Sequence, residues 1–329
     1  MKKVTIYDVA EWADVGIGTV SRVLNNSERV SDKTREKVLE AIKELNYQPN
    51  AMARGLALQK TGSIGVIVPC FTHHFFVEVL KGVQEELQQI DLDLVLFNVE
   101  NKEQKDKHID RILKERRVDG VLAITLSMTK KEVKRFKDLN LPLVLVNDLQ
   151  DEVSSIFVND FSGAKEAIEY LIDLGHKKIA FLNGSLRSKQ AKERLRGVKA
   201  GFKAKGLKLD ENLYKEGQFT EESGYKLMEQ LLKETKDRWP SAVFAASDNQ
   251  AIGALQAIEE SGLKVPEDFA LIGYDNIELA RYLKLTTVSQ PMTKMGRLGV
   301  EILAKEINSK QLEVVQKELE PELIIRRSC

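Results

Sequence analysis

The chain has 329 residues, 43% of them apolar, and 50 basic side chains against 50 acidic ones. That length builds a small domain plus one large two-lobed body, and the balanced charge leaves nucleic-acid binding to a local field rather than to the chain as a whole. No apolar run approaches a membrane span, and Lys2 and Lys3 precede a polar stretch instead of a signal-peptide core. Cys70 and Cys329 lie far apart with no metal-ligand spacing. A cytoplasmic protein without membrane contact, disulfide framework or metal site is therefore expected.

Three helical patterns come first. Thr5 followed by Asp8 reads as a variant capping box, opening a short helix with Ile6, Val9, Ala10 and Ala13 on its apolar face. Asp14-Val15-Gly16 makes a tight turn. A second helix runs from Ile17 to about Asn25, burying Val20, Val23 and Leu24 and turning Thr19, Ser21, Arg22 and Asn25 outward. Ser31-Asp32 starts a third helix that ends near Asn46, with Val38, Ala41, Ile42 and Leu45 inward. Two short helices across a tight turn, braced by a third, form a helix-turn-helix whose second helix enters the major groove. A small protein-binding module gives a similar pattern. Residues 1–60 hold ten basic and eight acidic side chains, so contacts to DNA must be placed rather than diffuse.

Tyr47 to Gly62 then joins this module to the rest. Pro49 stops the preceding helix, Asn50 is suited to cap a new one, and the spacing of Met52 and Leu56 predicts one short helix over 50–58. A helix this short, loosened by Gly55, is barely stable alone. It is a candidate switch, ordered by a partner and otherwise lost; a plain linker is the other reading.

From Ser63 onward, short apolar runs alternate with amphipathic helical ones. Strands are expected at Ser63–Pro69, Leu92–Asn98, Val118–Thr125, Leu141–Asn147 and Ser155–Val158. Helices are expected at Phe75–Gln89, Asn101–Arg116 and Lys130–Leu139. The pattern restarts with a helix from Asp160 to Leu174. Strands follow at Lys178–Asn183, Ser241–Ala246, Phe269–Tyr274 and Thr287–Gln290, with helices at Lys189–Lys205, Glu221–Thr235, Asn249–Ser261 and Met292–Ile307. Glu318 to Arg327 closes the chain as strands. Two α/β lobes with parallel sheets follow, with a cleft beyond the carboxyl ends of their strands. There is no Gly-x-Gly-x-x-Gly after the first strand, no Gly-Lys-Ser/Thr phosphate loop and no cysteine–histidine pair with nucleophile spacing, so no catalytic residue is assigned.

Specific motifs now carry a resemblance. Ile6-Tyr7-Asp8-Val9-Ala10, Thr19-Val20-Ser21-Arg22-Val23-Leu24-Asn25, Val30-Ser31, Thr34-Arg35 and Leu45-Asn46-Tyr47-Gln48-Pro49-Asn50 resemble the DNA-binding end of the lactose-repressor/galactose-repressor family. The likeness continues through Leu171–Phe181, Glu193-Arg194-Leu195-Arg196-Gly197, Ala246–Gly253 and Ile272-Gly273-Tyr274-Asp275. It implies a multidomain α plus α/β protein. A λ-repressor-like helix-turn-helix domain would occupy residues 1–48 and a hinge helix with its linker residues 49–62. A two-lobed body of the type I periplasmic-binding-protein kind would occupy 63–329. One lobe would be about 63–160 plus part of 291–329, the other about 161–290 plus the remainder.

Site roles follow from the same resemblance. Ile17, Gly18, Thr19, Ser21 and Arg22 would face the major groove. Arg22 is suited to guanine O6 and N7, and Ile17 to a thymine methyl. Thr5, Tyr7, Ser31, Thr34, Tyr47 and Asn50 would support or touch the DNA backbone. Ala53, Arg54 and Leu56 would enter the minor groove, with Leu56 levering open a base step. Gly16 departs from the usual serine or threonine and loses that cap. In the cleft the effector-binding set is His73, Phe75, Asn147, Arg194, Phe219, Ser247 and Asp275. Arg194 would offer a donor fork, Asp275 an acceptor for paired hydroxyls and Phe219 a flat apolar face. Ser247 stands where asparagine is more usual, and His73-His74 where asparagine-proline is common, so ligand identity does not carry over from the family.

The function implied is a sequence-specific, ligand-regulated repressor and not an enzyme. It would bind a palindromic operator as a homodimer, with a sugar or related metabolite as effector and no cofactor. The chain ends at Ser328-Cys329 without the leucine-repeat tail of the family's tetrameric members, hence the dimer. Two variants stay open: a catabolite-control regulator with a phosphorylated carrier protein as co-repressor, and a purine- or nucleoside-responsive repressor. A solute-binding protein without a DNA role is disfavoured by the reader domain.

Overall fold

The computed structural model describes residues 4–24, 27, 29–48, 60–235, 239–309 and 313–329. The chain divides into two compact units, residues 1–62 and 63–329. In the first, helices α1 (Ile6–Trp12), α2 (Ile17–Leu24) and α3 (Asp32–Glu44) close around Val9, Ala10, Ala13, Val20, Val23, Val38 and Ala41, with Ile42 and Leu45 half-buried beside them. Each start is explained locally. The Thr5 amide and hydroxyl both donate to the Asp8 carboxylate, at 2.7 and 2.6 Å. Ser31 caps α3, with the Thr34 amide donating to its hydroxyl oxygen. Asn46, at φ 45°, takes the left-handed turn that ends α3.

The second unit holds two six-stranded sheets of equivalent order. The first comprises β1 (Ser63–Val68), β2 (Asp93–Asn98), β3 (Gly120–Ile124), β4 (Leu143–Val146), β5 (Ser154–Val158) and β11 (Gln316–Leu319), ordered β11-β5-β4-β3-β1-β2 and parallel throughout. The other comprises β6 (Ile179–Asn183), β7 (Tyr214–Glu216), β8 (Ala242–Ala245), β9 (Ala270–Asp275), β10 (Thr286–Ser289) and β12 (Glu322–Ile324), ordered β12-β10-β9-β8-β6-β7, with only β12 antiparallel. The inner strands are buried on both faces, as parallel sheets covered by helices require.

The helices of this unit are α4 (His74–Ile90), α5 (Lys102–Glu115), α6 (Lys130–Asp138), α7 (Asp160–Asp173), α8 (Lys189–Ala204), α9 (Glu221–Thr235), α10 (Asp248–Glu260), α11 (Glu278–Tyr282) and α12 (Met292–Asn308). The chain changes sheet after β5, returns after β10 so that α12 packs on α4 and the first sheet, and changes again between β11 and β12. The closing segment, expected as strands, is two of them, in different sheets and divided at Glu320-Pro321. Two elements had no counterpart in the sequence pattern: β7, three residues held by β6, and the five-residue α11. Among the described residues no helix is long and apolar enough to cross a membrane, and no group of three or more His, Cys, Asp or Glu is placed to hold a metal ion.

Candidate functional site

On the first unit, α2 buries Val20 and Val23 and turns its opposite side to solvent. Ile17, Gly18 and Arg22 are exposed, whereas Thr19 and Ser21 are half-buried, less open than the sequence pattern suggested. With Gly16 in place of a capping side chain, the helix start rests on its backbone: the Thr19 amide donates to the Gly16 carbonyl at 2.8 Å. Tyr7 is 67% exposed. Thr5 and Ser31 are exposed at helix starts, Thr34 shares a 2.9 Å hydrogen bond with Ser31, and Tyr47 packs half-buried against the small core. Asn25, Asn50, Ala53, Arg54 and Leu56 lie outside the described residues.

In the second unit the polar residues gather where the strands end. Thr125 follows β3, Asn147 and Asp148 follow β4, Ser247 and Asp248 follow β8, Asp275 ends β9, and Gln290 follows β10. Thr125, Asn147, Asp275 and Asn276 all have positive φ, and Asp275 at 117° lies where side-chain-bearing residues are rarely held. Backbone strain of this kind concentrates at functional sites.

Arg194 is central to the second lobe's wall. It falls on the buried stripe of α8, between Ala191 and Val198, and is itself only 3% exposed. Its Nε donates to Asp160 Oδ1 at 2.8 Å and its Nη1 to the Ala246 carbonyl. The Tyr274 ring lies 3.7 Å from the guanidinium carbon and the Phe219 ring 5.4 Å away. The close approach of α7 and α8 that permits the Asp160 contact needs Gly197, where a Cβ would collide with the Phe161 carbonyl. Phe219 is placed in the same way: its ring covers Gly184, and a Cβ there would occupy the ring's position.

Arg194, Phe219, Ser247 and Asp275 are thus brought together, but not as free ligand groups. Arg194 has lost part of its donor fork to the protein. Ser247 caps α10, its oxygen accepting from the Gln250 amide at 3.1 Å. Asp275 Oδ1 accepts from Gln290 Nε2 at 2.6 Å. Burial pushes the Asp275 carboxyl up to about 7, against the pull of Arg194 and with a push from Asp160. Burial first, and the Asp275 charge second, raise Asp248 well above the carboxylate range; it accepts from the Thr287 hydroxyl at 2.6 Å and the Ile277 amide at 2.9 Å.

The first lobe contributes differently. Asn147 is buried and donates to the Thr125 hydroxyl at 3.2 Å, while its carbonyl accepts from Gln190 Nε2 at 2.5 Å. Lys189 reaches the same segment, donating to Asp148 Oδ1 at 2.5 Å and the Leu149 carbonyl at 2.6 Å. These bonds tie the start of α8 to the end of β4 across the cleft. His73 is exposed at the N-cap of α4 and Phe75 is half-buried on its first turn, edge-on to Phe76. Neither His73 nor Phe75 hydrogen-bonds to the Arg194 group.

Asp160, Lys189, Gln190, Asp148, Tyr274 and Gln290 were not singled out from sequence. Arg194 within an apolar helical stripe was the available signal, since a buried guanidinium demands a partner. Two surface hollows, of about 500 and 390 Å³, flank the edge strand β2 and contain none of the cleft residues.

Comparison with known proteins agrees with both regions. The family model for bacterial regulatory proteins, lacI family, matches residues 5–50, and that for a periplasmic binding protein-like domain matches residues 168–329. The HTH-type transcriptional repressor PurR of Pasteurella multocida is 39% identical over 330 residues, 98% of each chain. Catabolite control protein A of Priestia megaterium is 35% identical over 315 residues, 94% of each. Among solved structures, the Lac repressor dimer bound to operator and the anti-inducer ONPF is similar at TM-score 0.86 and 30% identity over 99% of both chains. A complex of the transcriptional regulator CelR with cellobiose is similar at TM-score 0.75 and 33% identity over 99% of this chain and 100% of that one. The chain belongs to the lacI family of bacterial regulatory proteins: it is a DNA-binding transcriptional repressor with a ligand-binding domain.

Proposed function

We propose that the repressor binds a palindromic operator as a dimer in the cytoplasm and takes a small-molecule effector, a sugar or related metabolite, between the lobes of residues 63–329. Residues 1–48 are the DNA reader and 49–62 the hinge. The observation that carries this reading is one chain holding both an exposed Ile17–Gly18–Arg22 face and a buried polar cluster at strand ends. Arg22 reads a guanine, Ile17 contacts a thymine methyl, and Thr5, Tyr7, Ser31, Thr34, Tyr47 and Asn50 position the domain on the backbone. Ala53, Arg54 and Leu56 take the minor groove, where two hinge helices too weak to exist alone stabilise one another. The bonds from Lys189 and Gln190 to the end of β4 hold the lobes together, so a ligand that favours one lobe separation shifts operator affinity by its differential binding to the two states.

The dimer places a second copy against the hollow lined by Val77, Leu80, Leu87 and Leu94, beside an edge strand whose Leu94 and Leu96 are exposed. Gel-shift titration of a palindromic operator against its scrambled version at matched salt tests the reading, because nonspecific affinity follows counterion release alone. Equal affinity for the two overturns it. Leu56→Ala is expected to keep fold and dimer while losing operator bending; an undiminished bend leaves Leu56 as linker.

The relatives support a second reading of the regulatory input. Catabolite control protein A and the repressor PurR, each similar over nearly the whole chain, favour catabolite control with a phosphorylated carrier protein as co-repressor, or a purine-type ligand. Pull-down with such a carrier, phosphorylated and not, and calorimetry over sugars, nucleobases and nucleosides separate the three.

A further inference from the structure

Asp275 and Asn276 are consecutive side-chain-bearing residues at positive φ, 117° and 62°. Such a pair relaxes toward extended or right-handed backbone unless the surrounding structure imposes it. Several elements do so. At the start of α10, Asp248 accepts from the Ile277 amide at 2.9 Å and the Thr287 hydroxyl at 2.6 Å. On β10, the Thr287 oxygen accepts from the Asn276 amide at 3.3 Å and the Ser289 oxygen from Asn276 Nδ2 at 3.1 Å. After β10, the Gln290 amide donates to the Asp275 carbonyl at 3.2 Å and its Nε2 to Asp275 Oδ1 at 2.6 Å.

The remaining hold comes from the closing segment. Arg326 Nη2 donates to Asn276 Oδ1 at 2.6 Å, its Nη1 to the Leu285 carbonyl at 2.6 Å and its amide to the Thr286 hydroxyl at 2.9 Å. The Asn276 carboxamide is then engaged at both ends. The segment that carries Arg326 is itself fixed. The Leu271 amide donates to the Ser328 carbonyl at 2.7 Å, and the Ser328 hydroxyl donates to the Leu271 carbonyl at 2.6 Å while accepting from the Thr286 amide at 2.8 Å. Arg326 is half-buried and both acceptors of its guanidinium are neutral. A group that binds carboxylates best is thus spent on the shape of a turn. None of these bonds goes to Arg194, Phe219, Ser247 or Asp275, so the hold on the cleft wall runs through Asn276.

We propose, on the reading of this cleft as the effector site, that Arg326 is a positioning residue for effector binding: by gripping Asn276 it keeps the Asp275–Asn276 turn left-handed and Asp275 seated in the wall with Gln290 and Arg194. An effector then meets a preformed acceptor and does not have to order one.

The test needs neither effector nor DNA. Protein made with isotopically labelled aspartate is titrated by NMR, and the Asp275 carboxyl signal is assigned by its loss in Asp275→Asn. Burial pushes this carboxyl up to about 7, Arg194 on α8 and Gln290 pull it down, and Asp160 on α7 pushes it up; Asp248 on α10 adds to the push. Arg326→Gln removes a cation, which by charge alone raises the midpoint. Release of the turn admits water and lowers it toward the ordinary value of about 4. The expected result is a fall of at least about one pH unit. An unchanged or raised midpoint in folded Arg326→Gln overturns the proposal. Asn276→Ala removes the gripped carboxamide, leaves Arg326 in place and is expected to give the same fall. The double variant Arg326→Gln/Asn276→Ala should fall no further, since both changes remove one grip. Falls that add would make the two residues independent and overturn it as well. Should circular dichroism show Arg326→Gln unfolded, Asn276→Ala decides alone, and an unchanged midpoint there is equally decisive. A screen that finds no effector counts against the cleft reading and leaves these titrations interpretable.

Discussion

Arg22 and Arg194 are the same side chain placed in opposite surroundings. Arg22 stands exposed on α2, and no residue of the three-helix core depends on its charge. Arg194 is buried between two aromatic rings, with a carboxylate on one edge and a carbonyl on another. On the function proposed above, the difference follows from what each surface would meet. A DNA reader must present cations that exchange water and counterions for base edges and phosphates at the moment of binding. A small-molecule cleft must hold its polar groups in position beforehand, and desolvated charges have to be paired inside the protein.

The strongest way to break this contrast is Arg194→Ala. It leaves Asp160 buried without its counter-charge and is expected to cost about 3–5 kcal/mol of unfolding free energy, read from urea denaturation. A double Arg194→Ala/Asp160→Ala variant is expected to recover part of that loss. A single substitution within about 0.5 kcal/mol of the parent would mean that the pair is not desolvated.

Asp275→Asn tests the same wall through pH. The folded carboxyl titrates near 7 and an unfolded one near 4, so the folded chain binds the proton more tightly. This group therefore favours folding fully below about pH 4, and its contribution is lost as pH rises through about 7. The thermal midpoint of Asp275→Asn, relative to the parent, should climb between about pH 4 and pH 7 by the equivalent of about 2–4 kcal/mol. A difference that does not change with pH would show the carboxyl to be ordinary.

Arg22→Ala is expected to do the reverse of Arg194→Ala. Stability should move by no more than about 0.5 kcal/mol, while discrimination at one symmetric base-pair position falls by about 1–3 kcal/mol. Titrations over a set of operator variants read it; a uniform weakening on every sequence would make Arg22 a phosphate contact.

The smallest effect is expected at Lys189→Met. Its partner Asp148 is buried, but the lysine is half exposed and the pair spans the cleft, so opening of the lobes lets the carboxylate rehydrate. The cost in unfolding should be about 0–1 kcal/mol. Small-angle scattering should shift toward a more open body, and an unchanged profile would remove these bonds from the account of how the lobes are held.

Much of the fold was legible because its signals are local. The continuous apolar runs of β1, β3, β4, β6, β8 and β9, and the stripes of α4, α5, α7, α8, α9, α10 and α12, show in the order of residues alone. So do the caps at Thr5 and Ser31 and the turn of α2 that exposes Arg22. The elements that lay beyond such signals are those that exist only by pairing. Strand β7 has three residues and is made by β6, and the sheets alone decide that β11 pairs with β5 and β12 with β10.

The cleft residues named from the family pattern mostly share one wall, but their chemistry was decided elsewhere. That Arg194 would meet Asp160 depends on two helices approaching across Gly197. That Asp275 would resist ionisation depends on burial first and on Asp160 to a lesser extent. Periodicity fixes which face of an element is apolar, because it acts within a few residues. Which charges are paired is settled only when segments 34 to 52 residues apart are packed together and water is gone.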